Sequence, residues 1–110
     1  MGILTMNEQI LLTAILRLGD NAYGVPIRDE ISELSGKDVV FGTLYNNLDK
    51  LVRKGYVTTR RGEPTNERGG RYKIYYQLTE EGLASLEESK ALQMSLWKAV
   101  PSAAEGGSES

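Results

Sequence analysis

The sequence predicts an α+β, mainly α fold of the winged helix-turn-helix type, with an N-terminal helix and a C-terminal helix suited to dimerisation. Three observations carry this reading. Helical apolar spacing recurs through the first half of the chain, two β-rich runs separated by a glycine-rich loop follow, and a last helical pattern opens on Thr79-Glu80-Glu81. At 110 residues the chain has the size of one domain with a modest core, so help from a partner subunit is expected.

Thr5-Met6-Asn7-Glu8 has the spacing of a capping box and Gly19 stops the pattern, which predicts a first helix over residues 6 to 18. Its apolar residues cover more than one stripe, so burial on more than one side is expected. Gly19-Asp20-Asn21 is turn chemistry, and Pro26 falls in the first turn of a second helix whose Ile27, Ile31 and Leu34 share one face. Ser35-Gly36-Lys37-Asp38 ends it.

A third helix is predicted from Gly42 to Lys54, with Gly55 as its stop. Leu44, Leu48, Leu51 and Val52 cluster inward, while Gly42, Thr43, Asn46, Asp49, Lys50 and Arg53 point outward and Tyr45 sits at the boundary. Small, amide and ammonium groups on one face are what base edges and phosphates require. Asn is suited to adenine, Thr to a phosphate or a thymine methyl, and Lys to guanine or phosphate.

Tyr56-Val57-Thr58-Thr59-Arg60 reads as a strand, residues 62 to 70 as a loop, and Arg71 to Leu78 as the return strand. Tyr72, Ile74 and Tyr76 then share one side, and Arg71, Lys73, Tyr75 and Gln77 the other. The last helix carries one apolar stripe of Leu83, Leu86, Met94 and Trp97, interrupted by Lys90, and Leu92, Leu96 and Ala99 nearly opposite. Pro101 ends it, and residues 101 to 110 read as a disordered polar tail.

Net charge is −2, yet between Lys50 and Lys73 eight basic residues face two acidic ones. A globally acidic chain can thus present one positive face to phosphates. With Cys and His both absent, disulfides, thiol chemistry and the commonest general base and metal ligand are excluded, and no enzyme, metal or cofactor is expected. The first apolar run is too short to span a bilayer and lacks the features of a signal peptide, so a cytoplasmic protein without membrane association is expected.

"YGVPIRDEI", "GTLYNNLDKLVRKGYV", "RGGRYKIYYQLTEEG" and a last helix with a tryptophan together resemble the PadR family of bacterial transcription regulators, from about Leu11 to Leu86. The single C-terminal helix is similar to the smaller subgroup of that family. The resemblance implies a winged helix-turn-helix DNA-binding domain over residues 1–78, a dimerisation helix over 79–100, and a homodimer joined by the first and last helices. It further implies repression at a palindromic double-stranded DNA operator read in the major groove. Carried onto this chain, Thr43, Tyr45 and Asn46 fall on the recognition helix, with Lys50 on its outer face, and Arg68, Gly69, Gly70, Arg71 and Lys73 fall on the wing.

The residues supply reasons for these roles. Gly69 and Gly70 permit a backbone close to phosphate or the minor-groove wall, with Arg68 and Arg71 as flanking charges. Family members that bind drugs stack aromatic or cationic ligands between tryptophans at the dimer axis, which implies a small aromatic effector held by Lys90, Met94 and Trp97. Read from the helix alone, Trp97 serves equally as a dimer-core residue. A winged-helix protein-interaction module without sequence-specific DNA binding is the alternative function.

Overall fold

Thr5 and Glu8 close the capping box. The Thr5 hydroxyl accepts from the Glu8 amide at 3.1 Å and the Glu8 carboxylate accepts from the Thr5 amide at 2.9 Å, satisfying donors that a helix start leaves open. Helix α1 runs Met6–Leu18 and gives way to a 3-10 turn at Gly19–Asn21, where Gly19 takes the positive φ of 57° that glycine tolerates best. The computed structural model describes residues 3–64 and 72–102, with backbone alone at 63 and 64.

Helix α2 spans Gly24–Ser35, closed by Gly36 in the left-handed region, and α3 spans Phe41–Arg53. The strands β1, Val57–Pro64, and β2, Tyr72–Leu78, pair antiparallel, with Val57 opposite Leu78, Thr59 opposite Tyr76 and Arg61 opposite Ile74. Tyr23 forms an isolated bridge with Tyr75, and the Tyr76 amide donates to the Ala22 carbonyl at 2.8 Å. The turn before α2 thereby becomes a rudimentary third strand that ties the hairpin to the helices. Helix α4 spans Glu80–Ala99.

The core lies where α1, α2 and α3 meet the base of the hairpin. Leu12, Ile15, Ile27, Leu44, Leu48, Leu51 and Val57 are its largest fully buried side chains, each contributing about 1.5–3 kcal/mol by leaving water. Burial on α1 covers Leu11, Leu12, Ala14 and Ile15, a broad arc as the sequence predicts.

Thr79 joins three elements at once: its hydroxyl donates to the Gly55 carbonyl at 2.7 Å and accepts from the Gly82 amide at 3.0 Å. Its amide donates to the Tyr56 carbonyl. The start of α4 is thus fixed to the junction between α3 and β1. Beyond that start, among the described residues of α4, Ser89 is the other buried position besides Gly82.

The limits of α3 and β1 differ from the sequence reading at both ends: α3 stops at Arg53 before Lys54, and β1 starts at Val57 after Tyr56. Helix α3 begins at Phe41 instead of Gly42, with Val40 as an N-cap that makes no side-chain bond, so no capping residue marked the start. Strand β1 continues through residues 61 to 64, part of which reads as loop, because pairing with β2 extends a stretch of weak β preference. The register shifts between Arg61 and Pro64. Arg68, Gly69, Gly70 and Arg71, expected on the wing from the sequence, and residues 103 to 110, expected as a tail, lie outside the described residues.

Candidate nucleic-acid interface

The buried seam of Leu44, Leu48 and Leu51 turns the opposite face of α3 to solvent. Gly42, Thr43, Tyr45, Asn46, Asp49, Lys50 and Arg53 are all exposed on it. One face of this helix therefore anchors it in the core, and the other offers hydroxyl, amide, ammonium and guanidinium groups to whatever approaches.

Tyr45 is held from two sides. Its ring stacks on Phe41 with centroids 6.0 Å apart and planes at 22°, and its hydroxyl lies over Gly24, where a Cβ would stand 2.1 Å from the oxygen. A Cβ at 24 would have to displace the Tyr45 ring where α2 and α3 cross. The ring remains 42% exposed, which suits the boundary position predicted for it.

Cations of the wing rest on aromatic rings. The Arg60 guanidinium lies 4.4 Å above the Tyr75 centroid, Arg61 lies 4.8 Å above Tyr72, and the Lys73 ammonium lies 4.4 Å above Tyr23. Tyr23 and Tyr75 meet edge to face at 5.4 Å. Arg60, Tyr75, Tyr23 and Lys73 form a continuous ladder, each step of the cation–aromatic kind contributing about 0.5–1 kcal/mol where exposed. The ladder keeps the charges positioned without neutralising them.

Among the described residues, the ion pairs are Arg17 with Glu30, joining α1 to α2, and Lys54 with Glu8, joining α3 to α1. Lys50, Arg53, Arg60, Arg61 and Lys73 are in neither. Burial alone would raise the Glu8 carboxyl, but the Lys54 ammonium and the Thr5 amide and hydroxyl outweigh it and leave the group lowered. The hydrogen bond from Lys54 to Glu8 in turn raises the ammonium. Burial, reinforced by Tyr45 and Asp49, pushes the Tyr76 hydroxyl up to about 12, so it stays neutral where α3 meets β2.

On α4, Lys90 lines a groove shared with α1, beside Thr13, Leu16, Leu86 and Gln93. Met94 and Trp97 project from the outer half of the helix, and Trp97 is 71% exposed. No helix among the described residues is long and apolar enough to cross a membrane.

Sequence reasoning missed Arg28, Phe41 and Tyr23, and it counted Arg60 and Arg61 as basic without assigning them to the site. Arg28 stands beside Asp29 and Glu30, so it reads as part of a solvated polar face. The structure instead sets its guanidinium 4.9 Å above the Phe41 ring. The alternation of cations and tyrosines across both strands was the available signal for the ladder.

The sequence of residues 11–88 matches the model of the transcriptional regulator PadR-like family. The chain belongs to that family. It is 28% identical to a PadR family transcription regulator from hypervirulent Clostridium difficile, covering 83% of this chain and 91% of that one with a TM-score of 0.66. To hsRosR-S1, solved as a complex, it is 33% identical, covering 94% of this chain and 83% of that one at a TM-score of 0.64. PadR of Bacillus subtilis in complex with operator DNA shares the fold at 23% identity and a TM-score of 0.60, covering 88% of this chain and 49% of that one. No curated protein matches the sequence. The chain thus carries the winged-helix fold of a family of transcriptional regulators.

Proposed function

We propose that this PadR-like protein is a dimeric, sequence-specific repressor that binds a palindromic operator. In this reading α3 of each protomer enters the major groove, where Asn46 reads a base edge, Thr43 and Tyr45 reach phosphate or a thymine methyl, and Lys50 reaches guanine or phosphate. The wing lies along the backbone through Lys73 and through Arg68, Gly69, Gly70 and Arg71 at its tip. The observation that carries the reading is the outward face of α3, exposed along its length and backed by buried leucines. The operator complex of Bacillus subtilis PadR supports it by analogy of fold.

A homodimer is supported by α4. Leu92, Met94, Leu96, Trp97 and Val100 are all exposed on its outer half, spread over two nearly opposite faces, which is more apolar area than a solvated helix end needs. A second copy of the chain covers it in this proposal, with α1 and α4 as the dimerisation elements. Met94 and Trp97 near the axis, with Lys90 on the same face, then offer a stacking site for a small aromatic or cationic effector that releases DNA. The protein acts in the cytoplasm.

A matched pair of substitutions tests the assignment. Asn46→Ala is expected to weaken operator binding roughly 5- to 150-fold while leaving random DNA nearly unchanged, the loss of one base contact. Arg71→Ala is expected to weaken all sequences alike and to flatten the salt dependence by about one unit of slope. If both variants bind the operator as the wild type does, the interface has been placed on the wrong residues.

A further inference from the structure

Helix α2 meets α3 through two rungs spaced one helical turn apart. Gly24 lies under the Tyr45 hydroxyl, and Arg28 lies over the Phe41 ring at 4.9 Å. Phe41 and Tyr45 stack on one another, so the rungs form one unit. Arg28 adds a directional bond: its Nε–H donates to the Val39 carbonyl at 3.0 Å, just ahead of α3. Val40, the N-cap of α3, makes no side-chain bond, so the Arg28 contact fixes the chain as it enters the helix, although a guanidinium donor leaves the helix's first amides uncapped.

We propose that Arg28 is a positioning residue for base recognition, fixing the direction of the first turns of α3 through Val39 and Phe41, and that it makes no phosphate contact of its own. The inference rests on the DNA-binding reading above. Its physical basis is that the guanidinium has both its face and its Nε–H engaged within the protein, and the side chain is half-buried. One guanidinium face and one of the five N–H donors of Arg28 thus hold the entry of α3, and it is through this hold that the side chain acts in the proposal. Thr43 and Asn46 stand within the first two turns of that helix, where a small change of angle shifts a bidentate contact out of register.

The test compares wild type, Arg28→Ala, Arg28→Lys and Phe41→Leu for binding to the operator and to a scrambled duplex across a salt series. Positioning predicts that Arg28→Ala lowers the operator-to-scrambled ratio about tenfold, with the salt slope unchanged. Phe41→Leu is expected to do the same, and the double variant to lose little more than either single one. Arg28→Lys keeps the charge but not the Nε–H fork, so it is expected to rescue the ratio incompletely. A uniform loss on both duplexes with a shallower salt slope, or full rescue by lysine, overturns the proposal in favour of a phosphate contact.

Amide exchange separates this inference from the reading beneath it. The Leu44 amide donates to the Val40 carbonyl at 3.0 Å, and in Arg28→Ala its exchange is expected to accelerate while that of Leu48 and Leu51 is unchanged. Should the wild type fail to discriminate any duplex, the DNA-binding reading falls, and the exchange at Leu44 still decides the role of Arg28. Unchanged exchange there overturns it.

Discussion

Three glycines mark where side chains are refused and where they are not. At Gly82 a Cβ would stand 2.1 Å from the Tyr56 carbonyl oxygen, a backbone atom that cannot swing aside. Gly82→Ala is therefore expected to destabilise the protein by about 1–3 kcal/mol, read as a lower Tm or denaturant midpoint. Gly42, by contrast, has nothing within 4 Å of where its Cβ would lie and sits in the first turn of α3. Gly42→Ala is expected to stabilise the fold by up to about 1 kcal/mol, while operator affinity falls if the backbone approaches DNA there. Calorimetry beside a binding titration separates the two effects. Gly24 is intermediate, since Tyr45 is half exposed and can rotate, at the loss of its stack on Phe41.

The elements are held by contacts whose pH response differs in sign. Glu8, lowered from its ordinary 4.5, contributes stability that is fully present above that value and is lost as pH falls through the lower folded value. Lys54, raised from its ordinary 10.5, contributes stability present below that value and lost as pH rises through the higher folded one. The pair therefore holds α1 to α3 across the whole neutral range. Because Lys54 is half exposed, Glu8→Gln is expected to cost less than about 1 kcal/mol at pH 7, and to flatten the acid side of the stability profile. Gln keeps the capping box, so the variant isolates the charge.

Elements with local signals were legible, and those set by distant partners were not. Helix α1 matched its predicted limits because Thr5, Glu8 and Gly19 state them within the chain itself. The end of β1 was missed because it is decided by cross-strand pairing, of Arg61 with Ile74 and, past a register shift, of Pro64 with Tyr72, and not by the residues of β1 themselves. The leucine seam of α3 was readable from its period, and so was the exposure of Thr43, Asn46 and Lys50 opposite it. The seat of Arg28 on Phe41 was not, since nothing in the chain between them announces that two helices cross there.

At the scale of the molecule, α4 reaches away from the core, and the extents of 65 × 28 × 20 Å reflect it. A helix of 20 residues buried at Gly82 and Ser89, with Leu96 and Trp97 exposed, has no partner for its outer half among the described residues. If that partner is a second copy, Leu96→Glu is expected to shift the protein from dimer to monomer in sedimentation, and to weaken operator binding much more than binding to a single half-site. A variant that sediments as the wild type does would place the interface elsewhere. Such a dimer would also set the spacing of two α3 helices, which would have to match half-sites about one helical turn of DNA apart.

The most direct measurement is fluorescence anisotropy of the wild-type protein with the DNA upstream of its own gene, beside a scrambled duplex of equal length, at two salt concentrations. Binding that is tighter to the native duplex and weakens steeply with salt is the expected result, because phosphate contacts release counterions while base contacts discriminate. Equal weak binding to both duplexes would move the target to another locus. No binding to either duplex at low salt would contradict the assignment of α3 and the wing as a DNA interface, and favour a winged helix that binds protein.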